Sequence, residues 1–126
     1  MPNKIRIRAG EITSLALLDD TPTATAIWQA LPIEARANTW GDEIYFSIPV
    51  HQPAEKGARE VVELGEVAYW PPGNAFCIFF GRTPASRRDE IRAASAVNVL
   101  GRLEGNPMSF REVADGTRIV IEAAEE

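Results

Sequence analysis

The sequence predicts a mainly β protein: an eight-stranded barrel closed on itself, with one or two short helices. Three features carry that expectation. Apolar residues recur with period two through most of the chain, turns rich in Gly and Pro punctuate it at short intervals, and the period changes to that of a helix only once. With about eight strand signals, closure is expected over an open sandwich, because a closed ladder leaves no strand edge exposed.

The elements follow in order. Ile5 and Ile7 alternate with Lys4, Arg6 and Arg8, which is the pattern of a half-buried strand. Gly10 ends it, and a second strand over Ile12–Leu18 completes a hairpin around Ala9-Gly10-Glu11. Thr21-Pro22 is a helix start, Thr as N-cap and Pro at the first helical position. Ala24, Ile27, Trp28 and Leu31 then lie on one apolar stripe until Pro32 stops the helix, which is expected to plug a barrel mouth. Strands over residues 33–39 and 43–48 flank a turn at Trp40-Gly41-Asp42. Residues 51–59 read as a loop. Residues 61–64 and 66–70 read as strand interrupted by Gly65, a candidate bulge. Pro71-Pro72-Gly73-Asn74 is a sharp turn, and 76–80 is the most buried-looking strand. Residues 81–94 read as a polar surface loop, 96–103 as a strand, 106–113 as a loop with one turn of helix, and 117–123 as the closing strand. No repeat or linker divides the chain, so residues 1–126 are expected to form one domain.

Composition narrows the function classes. With 45% hydrophobic and 25% charged residues, the chain has the makings of a packed core. A net charge of −5 argues against a nucleic-acid partner, since phosphate binding needs a basic face. Arg87, Arg88 and Arg92 cluster, but Asp89 and Glu90 stand among them. Cys77 is the only cysteine, so no disulfide forms within the chain. No apolar run resembles a signal peptide or approaches the ~20 residues of a membrane span, so a cytoplasmic location without a membrane partner is expected.

Few residues can carry chemistry. One histidine, His51, and one cysteine cannot build a metal site, and no glycine-rich loop cradles phosphate; no metal or other cofactor is expected. His51 lies in a polar loop and Cys77 in an apolar run, where a thiol is an inert small hydrophobe. Glu43 is the candidate catalytic residue: an acid near Trp40 and Tyr45 can have a raised pKa and act as acid or base. Trp40, Tyr45, Phe46 and Trp70 place large aromatic groups at strand ends, where pockets form.

The run Tyr69-Trp70-Pro71-Pro72-Gly73-Asn74-Ala75-Phe76-Cys77-Ile78-Phe79-Phe80-Gly81-Arg82-Thr83-Pro84, with residues 97–105 and the segment Ile44-Tyr45-Phe46-Ser47-Ile48-Pro49, resembles the cyclophilins. The Trp-Pro-Pro-Gly and Phe-Phe-Gly-x-Thr-Pro patterns resemble more specifically a small bacterial and archaeal cyclophilin-like family of unknown function. The resemblance implies a cyclophilin-like barrel. Anchored on Pro49, it puts the catalytic Arg position on Phe46 and the neighbouring His on Tyr45. Anchored on Thr83-Pro84, it puts the substrate-contacting Gln on Ala75, the proline-pocket Phe on Cys77, and the backbone-pairing Ala-Asn-Ala on Trp70-Pro71-Pro72. Phenylalanine cannot donate a hydrogen bond to a prolyl nitrogen, and proline has no N–H to pair with a peptide.

The expectation is therefore a domain that binds a small apolar or amphipathic molecule, or a peptide, in a pocket of Trp40, Tyr45, Phe46, Trp70 and Cys77, without prolyl isomerase activity. The alternatives are an enzyme using Glu43 as acid or base, a weak prolyl isomerase, or a homodimer that buries the same aromatic patch.

Overall fold

The computed structural model describes residues 3–124. Strands β1 (Asn3–Ala9) and β2 (Ile12–Leu18) form the expected hairpin, with Ile5 opposite Ala16 and Ile7 opposite Ser14. Ile5, Ile7, Ala16 and Leu18 are buried, while Arg6 and Arg8 point outward and pair with Glu122 at 3.2 and 3.0 Å. Helix α1 (Pro22–Ala30) starts where Thr21 Oγ1 accepts a hydrogen bond from the Ala24 amide at 3.1 Å. Its Ala24 and Ile27 enter the main core, with Trp28 and Leu31 packed against it.

The remaining strands are β3 (Ile33–Arg36), β4 (Asn38–Thr39), β5 (Glu43–Ser47), β6 (Arg59–Val62), β7 (Glu66–Trp70), β8 (Ala75–Phe79), β9 (Ile91–Glu104) and β10 (Arg118–Ala123). Short 3-10 turns occupy Pro71–Gly73 and Pro107–Glu112. The molecule is mainly β, as expected, but its ladder differs from the closed eight-stranded barrel. Ten strands are present among the described residues, and the sheet runs β3-β10-β1-β2-β9-β7-β8-β5-β4, with β6 paired to β9 off this path. The ladder is not closed. Its two ends, β3 and β4, are consecutive in the chain and separated only by Ala37, whose backbone is already committed: its N–H donates to Thr117 O and its carbonyl accepts from Gly116 N, both at 2.8 Å. One stretch of chain thus serves both edges of the sheet, with its midpoint bonded to the turn before β10.

Two other expectations are corrected. Gly65 is not a bulge; it is the turn between β6 and β7, whose N–H donates to Phe79 O and whose carbonyl accepts from Leu103 N. The ladder irregularity lies two residues on, between Val67 and Ala68 opposite β9. The last four residues of the expected 81–94 loop are strand, because β9 begins at Ile91 and its first half pairs with β6.

That early start creates a second layer. Ala93 and Val97 of β9 and Val62 of β6 cover the outer face of β7 and β8, burying Ala68, Ala75, Cys77 and Phe79 in a cluster separate from the main core. All of β8 is consequently buried, Phe76 and Ile78 inward and Ala75, Cys77 and Phe79 outward. Strand β9 reaches its other partner, β2, only because residue 101 has no side chain: a Cβ there would lie 1.8 Å from Leu17 O. Gly101→Ala is expected to lower stability by about 2–3 kcal/mol, read from the urea midpoint. Gly57→Ala, in a loop where a Cβ meets nothing within 4 Å, should leave it nearly unchanged. Equal midpoints for the two variants would refute the close-approach account.

Candidate functional site

The site is assembled at the start of β5 and the end of β7. The turn before β5 is held by Trp40 N–H donating to Glu43 O at 2.9 Å, and it is pressed onto the chain leaving β8 by Asp42 N–H to Arg82 O at 2.8 Å and Phe80 N–H to Asp42 O at 2.9 Å. Trp40 is thereby fixed at the mouth of the strand. The pleat of β5 then sends Ile44 and Phe46 into the main core and Glu43 and Tyr45 to the outer side. At the end of β7, Trp70 lies over the Pro71–Gly73 turn. Gly73 permits this, since a Cβ there would sit 2.7 Å from the indole. The indole Nε1–H donates to Ser95 Oγ of β9 at 2.7 Å, which pins the ring between the two layers.

These side chains line a half-open pocket of about 250 Å³. Trp40, Glu43 and Tyr45 form one side and Trp70 another; Ala93, Ala94 and Val97 of β9 supply the rest of the wall. The lining is apolar and aromatic except for one carboxyl.

Glu43 is 5% exposed. Burial is the main influence on it and raises its pKa from the ordinary carboxyl range to about 7; the neighbouring Cys77 thiol works the other way and only partly offsets it. No ion pair among the described residues includes Glu43. Cys77 faces Tyr45 across the β5–β8 ladder. Burial, and then the charge and hydrogen bonding of Glu43, push its thiol well above the usual range, so at neutral pH it is a protonated, unreactive group.

Of the residues singled out in the sequence, the fold brings Trp40, Glu43, Tyr45 and Trp70 together around this pocket. Phe46 is not among them. It is 1% exposed, on the inner face of β5, and stacks on Phe76 with ring centres 5.4 Å apart and planes 20° from parallel. Strand alternation makes Tyr45, one residue earlier, the outward-facing aromatic. Cys77 is on the correct face but lies beneath the pocket, in contact with Glu43 and outside the lining. His51 is exposed in its loop, and among the described residues no group of His, Cys, Asp and Glu could hold a metal ion. Ala93 and Ala94 of the β9 wall were missed because residues 81–94 read as loop, and neither Ser95 nor Val97, the latter within the expected strand 96–103, was singled out. The small-residue run Ala93-Ala94-Ser95-Ala96-Val97 was the available signal, since small side chains allow two layers to approach closely.

The raised pKa of Glu43 makes a stability prediction. The unfolded chain releases this proton near the ordinary carboxyl value and the folded chain only near 7, so wild-type stability contributed by the neutral form is lost as pH rises between the two. Glu43→Gln should abolish that slope. Relative to wild type, the variant should gain about 2–3 kcal/mol between pH 5 and pH 8, measured by urea denaturation across the range; parallel pH profiles would refute the assignment.

Known proteins place this geometry in context. The chain covers 98% of its length in a match to the solution structure of the hypothetical protein AF2241 from Archaeoglobus fulgidus, at 47% identity, 95% of that chain covered, and a TM-score of 0.85. No curated protein matches. No helix among the described residues is long and apolar enough to cross a membrane. The Cyclophilin-like family matches residues 3–122, so the fold and its outer-face pocket are those of a chain that belongs to the cyclophilin-like family.

Proposed function

We propose that the domain binds a small apolar or amphipathic molecule in the pocket between β5, β7 and the first half of β9, and that it does not isomerise prolyl bonds. One observation carries the reading: Trp40 and Tyr45 of one segment and Trp70 of another converge with Glu43 on one cavity. Aromatic walls offer large contact area at small entropic cost, and a single convergent polar group fixes orientation. The volume of about 250 Å³ is below the ~300–1,000 Å³ of pockets for drug-sized ligands, so the fit is to one ring or a short branched chain. A peptide could reach it only by inserting a side chain of that size.

Against isomerisation stands the chemistry of the lining. No arginine lines the pocket, so no guanidinium is there to donate to a prolyl nitrogen, and Pro71 and Pro72 beside Trp70 offer no N–H to a peptide backbone. A second reading rests on Glu43 itself: an acid with a pKa of about 7 is suited to give or take a proton at neutral pH.

A panel of single-ring and branched-chain fragments, followed through the indole N–H resonances of Trp40 and Trp70, tests the proposal. Fragments should shift both resonances, and Trp70→Ala should weaken their binding at least ten-fold. Binding that survives Trp70→Ala unchanged would sink the pocket assignment. In a proline-peptide assay at catalytic protein concentrations the expected acceleration is nil. Light scattering on the same samples checks the competing homodimer: an obligate dimer whose aromatic resonances are protected in the free protein would mean that a second copy occupies the patch.

A further inference from the structure

Resting on the pocket reading above, we infer that the occupant is a small organic cation carrying an alkylated ammonium group. Three aromatic side chains and one carboxyl around a single cavity are the components of an aromatic cage: ring faces attract a cation through their quadrupoles, most strongly where water is excluded, and the carboxylate supplies the counter-charge. Every other wall residue, Ala93, Ala94 and Val97, is without a hydrogen-bonding side chain.

Glu43 gives the choice of a cation over a neutral ligand its physical basis. Of the two buried glutamates among the described residues, each 5% exposed, Glu66 is paired with Arg59 at 3.0 Å, whereas Glu43 has no ion pair and only the thiol of Cys77 beside it. A buried carboxylate without a counter-ion is expensive, and a bound ammonium removes that expense while the rings accommodate its methyl or methylene groups. A neutral apolar guest would leave the same carboxyl facing it unpaired. The net charge of −5 also favours the approach of a cation over that of an anion.

The cation binds the ionised form of Glu43, so its affinity depends on pH. The groups facing Glu43 are few: the Cys77 thiol from β8, the Tyr45 phenol on its own strand, and from β7 and β9 the uncharged Trp70, Ala93 and Val97. With the Glu43 pKa at about 7, the affinity for a permanent cation should rise about ten-fold from pH 6 to pH 8.

The test compares choline with its uncharged carbon isostere 3,3-dimethyl-1-butanol, titrated into the full chain and read by the indole resonances. Choline should bind at least ten-fold more tightly at pH 8, with that margin shrinking at pH 6 and lost in Glu43→Gln. The pH series on wild-type protein stands even if the variant folds poorly. Equal affinities, or tighter binding of the alcohol, overturn the cation assignment and leave the apolar pocket in place. Failure of both probes to move either indole overturns the cation assignment and the pocket reading together. A peptide bearing trimethyllysine, run in parallel, separates the two sources of such a group: tighter binding than choline assigns the site to a peptide side chain, weaker binding to a free molecule.

Discussion

The pairing of β9 with three partners is the constraint on which the rest of the molecule depends. Its second half lies between β2 and β7, with Gly101 opposite both Leu18 and Val67. Its first half leaves β2 behind and pairs with β6, Arg59 opposite Val97 and Val62 opposite Ile91. Backbone N–H and C=O groups that leave one ladder must find another, so the strand can change layers only where a new partner is waiting. A buried polar anchor sits where this happens. Asn98, 1% exposed, donates through Nδ2 to Thr23 Oγ1 and to Pro53 O, both at 3.0 Å, and accepts from Glu55 N–H at 2.7 Å. Glu55 in turn accepts from the Thr23 amide at the start of α1. Each of these contacts is directional, so the helix, the long loop and β9 can meet in only one way.

The pocket is a consequence of that change of layer. Without the first half of β9, the outer faces of β7 and β8 would be open apolar surface and Trp70 would have neither Ser95 nor a facing wall. With it, the outer side gains a small core that includes Phe79 and Val62, against which Tyr45 and Trp70 pack at the border of the pocket. Glu43, opposite Phe79 in the β5–β8 ladder, stands at that border. Its ionised form is disfavoured there by about 3 kcal/mol, from the displacement of its pKa. An apolar residue would pack the same place at no such cost, which sets Glu43 apart from the structural carboxylates, such as Glu122, that sit at the surface between two arginines.

Much of the frame was legible in the sequence because its signals are local. The β1–β2 hairpin, the Thr21 cap, the Trp40-Gly41-Asp42 turn and the strand after Asn74 each depend on a few neighbouring residues. What was not legible depends on distant contacts. Strand β1 alternates because one of its faces meets water; the apolar run of β8 does not alternate because both of its faces are covered. That contrast implies a second layer, but it does not say which segment supplies it, and the segment that does begins in a stretch whose arginines and acids read as loop. The missing closure has a similar cause: residues 33–39 have the length and pattern of a single strand, and only the bonds at Ala37 divide it between two edges.

Phe46 carries the more general lesson. Aligned by a nearby proline, it takes the position of a catalytic arginine, and the substitution looks like the conversion of a polar site to an aromatic one. In the fold it never reaches the site. The side-chain period of a strand is two, so a register difference of one residue exchanges the core face for the outer face. Phe46 belongs with Phe76 in the main core, and Tyr45 carries the aromatic character to the pocket. The inner face, where Ile44, Phe46, Phe76 and Ile78 fill the sheet, belongs to the fold, and the pocket lies on the outer face. Membership of the cyclophilin-like family speaks to the fold, and a fold does not by itself name a function. There the lining sets one carboxyl among three aromatic side chains and includes no arginine, an arrangement suited to a guest recognised by shape and charge.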